Sequence, residues 1–155
     1  MNNSGVSSEL QQGKAAEHLV CADIILQGFS AFLADQGLPY DVIVDVGGLL
    51  KRVQVKSSIG PRVVQSREGV YQFSLRRSKA GNRPMHVTEA DLFAFVALDT
   101  RQIAYLAVVD LVGREGNHVV QCLQLRSATH GEHNGRSQGD KRAMRHFEDF
   151  SRPPW

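Results

Sequence analysis

The sequence is short of cysteine, of long apolar runs and of net charge, and each shortage excludes a class of protein. Its two cysteines, Cys21 and Cys122, lie in apolar segments without the paired spacing of a zinc or redox site, so we expect two buried free thiols. No apolar run approaches the roughly 18 residues that cross a bilayer, and the N-terminal segment lacks the basic and apolar regions of a secretion signal. We therefore expect a cytoplasmic protein with neither a membrane nor a small-molecule cofactor as a partner.

The chain has 155 residues, of which 42% are apolar and 22% are charged. This composition is that of an ordinary globular protein, and the length corresponds to about one domain. A chain of this size buries one core that covers roughly two-thirds of its unfolded surface. The sequence therefore predicts a single domain over residues 1–155.

The net charge of +2 is too small to indicate a partner, but the basic residues are unevenly distributed. Between Arg62 and Arg83 lie six basic side chains and one acidic side chain, interleaved with Tyr71 and Phe73. The members of this basic strip are Arg62, Arg67, Arg76, Arg77, Lys79 and Arg83. A strip of this kind either follows a phosphate backbone or forms the solvated face of a strand and its loop.

The apolar pattern predicts one helix followed by several strands. Helical spacing after Ser8, which has the capping-box partner Gln11, predicts a helix over 8–27. Alternation and short apolar runs predict strands at 29–33, 70–75, 92–98, 103–109 and 119–125. Residues 130–139 read as a loop and residues 140–150 as a short amphipathic helix. This order of elements favours an α/β or α+β layer fold with a central mixed sheet.

The most regular part of the chain reads DVIVDV, then GG, then LLKRVQVK. A Gly-Gly pair supplies the positive φ angles of a tight turn, so this segment predicts a β-hairpin across Gly47 and Gly48. With only those two residues in the turn, Asp41 lies opposite Gln54, and the valines of both strands share one face, which is the core face. A three-residue loop would shift the register by one and place the same side chains on opposite faces.

The polar face of this hairpin gathers Asp41, Gln54 and Lys56 at the end farthest from the turn. Opposed side chains of an antiparallel pair have Cβ atoms about 4.5 to 5.5 Å apart, close enough for a carboxylate and an amide oxygen to hold one cation. The hairpin therefore predicts a cation site at this end.

Three segments, in order, carry a resemblance to a known family: GKAAEHLV with Glu17, PYDVIVD with Asp41, and RVQVKSS with Gln54 and Lys56. They resemble the PD-(D/E)XK nuclease superfamily and are most similar to its branch of group I intron homing endonucleases and archaeal-type Holliday junction resolvases. The resemblance implies a restriction-endonuclease-like α/β fold with a central mixed β-sheet flanked by helices. Its motif-bearing core would cover residues 8–109, followed by a C-terminal extension over 110–155.

The resemblance further implies an endonuclease that uses Mg²⁺ or Mn²⁺ to hydrolyse phosphodiester bonds in duplex or branched DNA. Glu17, Asp41, Gln54 and the Val55 carbonyl would ligate the metal ion, and Lys56 would orient or deprotonate the attacking water. DNA is then the partner, contacted by the basic strip. Because one site cuts one strand, the working form would be a homodimer or homotetramer.

Gln54 stands where this superfamily commonly has an acid, which leaves only two carboxylates in the site. Two other interpretations therefore stay open beside an active nuclease. The chain is a nucleic-acid-binding descendant that has lost catalysis, or it is a generic small α/β domain with a fortuitous motif. The last interpretation predicts that Asp41 and Lys56 lie far apart.

Several further residues are secondary candidates. Ser57 and Ser58 either donate to a phosphate or form a turn, and Asp45 is a rival metal ligand on the same strand face as Asp41. Asp91 has the position of a cap or a salt bridge. His130 and His133 have H-x-x-H spacing, but their glycine neighbours favour a loop over a zinc-binding helix.

Overall fold

A computed structural model describes residues 7–64, 67–77, 81–127 and 145–155. Its α-helix, α1, spans Ser8–Leu26 and confirms the predicted helix, although the N-cap is Ser7, whose hydroxyl accepts from the Leu10 amide at 3.3 Å. Gly28 follows the helix with a φ of +95°, a conformation that glycine adopts without strain. The helix buries Ala16, Val20, Cys21 and Ile24.

The strands that the structure describes form two sheets. They are β1 Ser30–Leu33, β2 Val42–Val46, β3 Leu49–Ser58, β4 Arg62–Val64, β5 Arg67–Ser74, β6 Leu92–Ala97, β7 Gln102–Ala107, β8 Cys122–Arg126 and β9 Arg145–His146. The first sheet has the order β1-β2-β3-β6-β7, and the second has the order β4-β5-β8-β9. Because β3 pairs with β6 in parallel and the other pairs of the first sheet are antiparallel, this sheet is mixed, as predicted.

The hairpin has the predicted register. Val42 pairs with Val53 and Ile43 with Arg52 across a turn of Gly47 and Gly48, whose φ angles are +61° and +88°. The inward valines of both strands pack beneath α1 in one apolar cluster. The open end of the hairpin, farthest from the turn, is therefore placed against the N-terminal half of the helix, where the polar residues gather.

The first sheet is covered differently on its two faces. On one face α1 packs against the valines of β2 and β3, and on the other the second sheet packs through a cluster that includes Phe73, Phe95 and Phe147. The Phe73 and Phe95 rings are 5.1 Å apart between centroids. Strand β6 lies between these layers and is buried along its whole length. The α/β class and the mixed sheet are confirmed, with a helix on one face and a sheet on the opposite face.

The predicted C-terminal helix is wrong over its described part. Residues 145–150 form strand β9 and a 3₁₀ turn at Phe147–Phe150. Tertiary packing overrides the helical spacing here, because Phe147 inserts between the sheets with its ring 5.3 Å from that of Tyr71. Residues 140–144 and the predicted loop at 130–139, with His130 and His133, lie outside the described residues.

The prediction of two buried free thiols is right for Cys21 and wrong for Cys122. Both cysteines are free, but only Cys21 is buried, because Cys122 occupies an outward position at the start of β8. Within the described ranges, no helix is both long enough and apolar enough to cross a membrane.

Candidate functional site

The open end of the hairpin borders a cleft of about 510 Å³ between the first half of α1 and the end of β3. All four side chains predicted for the site lie along it, and so does the backbone of Val55. The cleft is lined by Glu17, Asp41, Gln54, Val55, Lys56 and Ser57, together with Lys14 and Arg77. The structure thus brings together residues from three separate segments. The interpretation of a fortuitous motif predicts that Asp41 and Lys56 lie far apart, whereas both line this cleft.

Asp41 is fixed by the strand beside it. Its backbone amide donates to the Val53 carbonyl at 2.9 Å, and its own carbonyl accepts from Ala34 at 2.8 Å. The carboxylate oxygen Oδ2 accepts from the Val55 amide at 2.8 Å and from the side chain of Gln54. These two hydrogen bonds hold the carboxylate in position.

Gln54 presents the nitrogen of its amide to the other site groups. Nε2 donates to Asp41 Oδ2 and, at 3.3 Å, to the Val55 carbonyl. A carboxylate and a carbonyl can only accept hydrogen bonds, so the amide must turn its nitrogen toward them in this arrangement. The two oxygens that accept from this amide, Asp41 Oδ2 and the Val55 carbonyl, belong to groups that the resemblance assigns to a metal ion.

Glu17 is paired within the helix. Its Oε2 accepts from Lys14 Nζ at 2.8 Å, a contact between positions i and i+3 on one helix face. This hydrogen bond is the main reason that the pKa of Lys14 is raised, and the charge of Asp41 adds to it while desolvation opposes it. The sequence patterns did not single out Lys14, although its spacing from Glu17 is a usable signal.

Lys56 extends from β3 to the loop that follows β5. Its Nζ donates to the Arg76 carbonyl at 2.9 Å. Burial lowers the pKa of Lys56 because it removes water from the ammonium group; the charge of Asp41 opposes this shift and that of Arg77 adds to it. An amine with a lowered pKa gives up its proton more readily than an ordinary lysine.

The donors of this site suit a hard divalent cation. Within the described part of the chain, no group of three or more His, Cys, Asp or Glu side chains could hold a metal ion. The site instead offers two carboxylates, an amide and a backbone carbonyl, and Mg²⁺ typically takes one or two carboxylates while keeping several waters. The residues present therefore fit Mg²⁺ or Mn²⁺ and do not fit zinc.

The secondary candidates lie in structural roles or at the margin of the cleft. Ser58 donates to the Gly60 carbonyl at 3.0 Å in the turn after β3, whereas Ser57 lines the cleft. Asp45 accepts from the Gly48 amide at 2.7 Å and caps the turn at the opposite end of the hairpin. Asp91 forms the predicted salt bridge, with Arg52 Nε 3.1 Å from its Oδ2.

The basic strip is more heavily paired than its sequence indicates. Arg76 donates to the Asn82 carbonyl at 2.7 Å and to Gln121 at 2.8 Å, and both Arg77 and Arg83 donate to Glu89. Glu89 lies beyond the strip in sequence, so a charge count from 62 to 83 misses it. Arg62 is exposed on β4, while Lys79 and the side chain of Arg67 lie outside the described residues.

The chain is similar to a known family and to proteins of known structure. A family model described as PD-(D/E)XK endonuclease matches residues 7–143. A bacterial homing endonuclease of known structure has 19% identity, a TM-score of 0.59, and coverage of 86% of this chain and 82% of its own. A Holliday junction resolvase from the archaeal hyperthermophile Archaeoglobus fulgidus has 14% identity, a TM-score of 0.44, and coverage of 70% and 83%. No curated protein matches the chain.

A titration with Mn²⁺ can show whether Gln54 raises or lowers the affinity of the site for a metal ion. We expect Gln54→Leu to weaken Mn²⁺ binding several-fold in a calorimetric titration, because the rotated amide would offer an oxygen ligand that leucine lacks. Gln54→Glu should keep measurable binding. Gln72→Leu, on β5 away from the cleft, is the matched control. Tighter Mn²⁺ binding by Gln54→Leu would show instead that the Gln54 amide only donates to the Asp41 carboxylate and competes with the metal ion for it.

Proposed function

This chain belongs to the PD-(D/E)XK endonuclease family, and from that premise we propose that it is a metal-dependent endonuclease hydrolysing phosphodiester bonds in duplex or branched DNA. The single observation that carries the proposal is the assembly of Glu17, Asp41, Gln54 and Lys56 along one cleft. A general DNA-binding domain has no need to bring two carboxylates and a desolvated lysine together.

In the proposed reaction, Asp41, Glu17, the Val55 carbonyl and a rotated Gln54 would hold Mg²⁺ or Mn²⁺. When bound, a divalent ion of this kind activates water and offsets the charge that develops on the phosphate. The Val55 amide keeps the Asp41 carboxylate aimed into the cleft. Lys14 neutralises the charge of Glu17 in the absence of a metal ion. When Glu17 ligates the ion, the Lys14 ammonium would contact a phosphate instead.

Lys56 would act on the attacking water. The hydrogen bond to the Arg76 carbonyl fixes its amine beside the segment that follows β5. Burial lowers the pKa of Lys56 and so eases the loss of its ammonium proton, after which the neutral amine would accept a proton from the attacking water. In its charged form the same group stabilises the negative charge of the transition state.

A cleavage assay on matched DNA substrates tests this function. A supercoiled plasmid, a linear duplex and a four-way junction would each be incubated with Mg²⁺, with Mn²⁺ or with EDTA. We expect cleavage of at least one substrate that requires the divalent ion and stops with EDTA. DNA binding without cleavage under all these conditions would favour the descendant that has lost catalysis.

We propose that the basic strip contacts phosphates, and that its members other than Arg77, which lines the cleft, do so outside it. Removing one such side chain should flatten the slope of log affinity against log salt by about 0.9 on duplex DNA, because one phosphate is then no longer neutralised. The measurement is a fluorescence-anisotropy titration over a salt series with Arg62→Ala and Arg76→Ala. Arg152→Ala, near the opposite end of α1, is the matched control. Unchanged slopes in both strip variants would return the strip to the solvated-face interpretation.

We further propose that the working form is a symmetric homodimer or homotetramer, since one cleft per chain cuts one strand. Exposed apolar side chains are available on the face of β1–β3 opposite α1, where Phe32 is 59% exposed and Leu50 is 67% exposed. Light scattering during size-exclusion chromatography should give at least twice the chain mass of 17.1 kDa. A monomer with and without DNA would contradict this proposal.

A further inference from the structure

Arg77 is placed differently from the rest of the described basic strip, because it lines the cleft that holds Asp41 and Lys56. Its side chain is 16% exposed, against 43% for Arg83. A cation shielded in this way is screened less by salt and solvent than one on the open surface. Arg77 therefore has the location of a group that acts on a ligand inside the cleft.

Glu89 fixes the guanidinium of Arg77. Its Oε1 accepts from Arg77 Nη1 at 3.0 Å and from Arg83 Nη2 at 2.5 Å, while its Oε2 accepts from the His86 amide at 2.7 Å. The hydrogen bond from Arg83 is the main reason that the pKa of Glu89 falls to about 2, so the carboxylate stays ionised at neutral pH. A guanidinium carries five N–H donors, so one contact through Nη1 orients it without using up its capacity to donate.

The backbone of the same segment reinforces this placement. Arg77 donates from its amide to the Arg83 carbonyl at 2.9 Å, and the two residues form an antiparallel bridge. The neighbouring Arg76 carbonyl accepts from Lys56 Nζ at 2.9 Å. One short stretch of chain thus contributes a guanidinium to the cleft and the carbonyl that accepts from the lysine amine.

We propose that Arg77 is a catalytic residue that contacts the scissile phosphate, and that Glu89 is the positioning residue that aims its guanidinium into the cleft. The inference rests on the nuclease function proposed above and assigns Arg77 a task different from that of the surface arginines. During hydrolysis the water oxygen bonds to phosphorus, one ester P–O bond breaks, and the leaving oxygen takes up a proton. Arg77 exchanges no proton and stabilises the extra negative charge on the phosphate oxygens.

A guanidinium suits this position better than an ammonium. Its planar fork donates two parallel hydrogen bonds to a phosphate, and it remains charged at any working pH. Asp41 and Glu17 bring two carboxylates to the cleft, so a phosphate entering it needs cations close by. Arg77 and Lys56 supply them there.

The test compares Arg77→Ala, Arg77→Lys and Glu89→Gln with the wild type in steady-state cleavage assays. We expect Arg77→Ala to lower kcat about a hundredfold with little change in KM, as removal of one transition-state donor does. Arg77→Lys should recover only part of that loss, and Glu89→Gln should lower kcat about tenfold, since the guanidinium remains but is less well aimed. Free guanidinium ion should restore part of the kcat of Arg77→Ala and leave that of the wild type unchanged.

Two controls separate this role from a structural one. Arg152→Ala should match the wild type in kcat and KM, and a calorimetric titration with Mn²⁺ should give Arg77→Ala the wild-type affinity. If the wild type cleaves DNA and Arg77→Ala cleaves equally fast, the inference fails while the nuclease function stands. A loss in Arg77→Ala that guanidinium does not restore and that accompanies a lowered melting temperature would also overturn it. A wild type that cleaves nothing would overturn both proposals.

Discussion

Replacing Asp41 by asparagine should lower the rate of DNA cleavage at least about a thousandfold, equivalent to about 4 kcal/mol of barrier. Asparagine keeps the shape of the side chain but removes the charge that would hold a divalent ion. The carboxylate also accepts from Val55 and Gln54, so both the charge of the site and its internal hydrogen bonding depend on it. Single-turnover cleavage measures the rate, and a calorimetric titration with Mn²⁺ measures the accompanying loss of metal affinity.

The hairpin itself supplies the matched control. Asp45→Asn removes the same charge from the same strand face, but at the turn, where the carboxylate caps Gly48. We expect a small loss of thermal stability and no loss of metal binding. If Asp41→Asn cleaves as fast as the wild type, or if Asp45→Asn is the variant that loses metal affinity, the assignment of the strand ligand is wrong.

Replacing Lys56 by methionine should lower the cleavage rate by about two to four orders of magnitude, the range that general acid–base groups supply. The expected difference from Asp41→Asn is that metal binding survives, because the amine is not a ligand. The measurement therefore pairs single-turnover cleavage with the Mn²⁺ titration. Methionine matches the length of the lysine stem, so the packing of β3 is disturbed little.

Lys51→Met, near the turn end of the same strand, controls for the loss of a lysine charge. A thermal melt of both variants is needed, since Lys56→Met leaves the Arg76 carbonyl without the donor it has in the wild type. A Lys56→Met protein that melts like the wild type and cleaves like it would remove the lysine from the mechanism.

The hairpin and the helix were predictable because local chemistry determines them. A Gly-Gly pair with positive φ angles sets the turn, and alternation then fixes which side chains face the core. Ser7 and Gly28 mark the ends of α1 within one or two residues of the sequence pattern. The register alone then places Asp41, Gln54 and Lys56 at one end, without reference to any tertiary contact.

The second layer was not predictable in the same way. Residues 145–150 have helical spacing, yet Phe147 packs against Tyr71 and Phe73. This packing stabilises the chain more than a short exposed helix would, because such a helix is marginal in water. That preference depends on partners distant in sequence, so no local window contains it. The replacement of a flanking helix by a sheet follows from the same long-range packing.

The sequence predicted which residues meet at the cleft but not how they pair with one another. Sequence identifies Gln54 as an amide but cannot tell which end of the amide faces Asp41, because the neighbouring acceptors decide that orientation. It also missed the pairing of Glu17 with Lys14 and the role of Glu89 between two arginines. The contacts of Glu89 join charges from separate parts of the chain, which a charge count from 62 to 83 does not include, whereas the spacing of Lys14 and Glu17 is visible within one helix.

The cleft is built from two parts that differ in how they fold. Asp41 and its partners Gln54 and Val55 are separated by only 13 and 14 residues, so they meet as soon as the hairpin closes. Glu17 and Lys14 reach the cleft only when α1 docks on the valine face. A fluctuation that lifts the helix would therefore remove one carboxylate and its counter-charge together and leave the hairpin half intact. Such a molecule would be folded along most of its sheet and unable to complete the site, so the proposed catalysis would depend on the docking of a single helix.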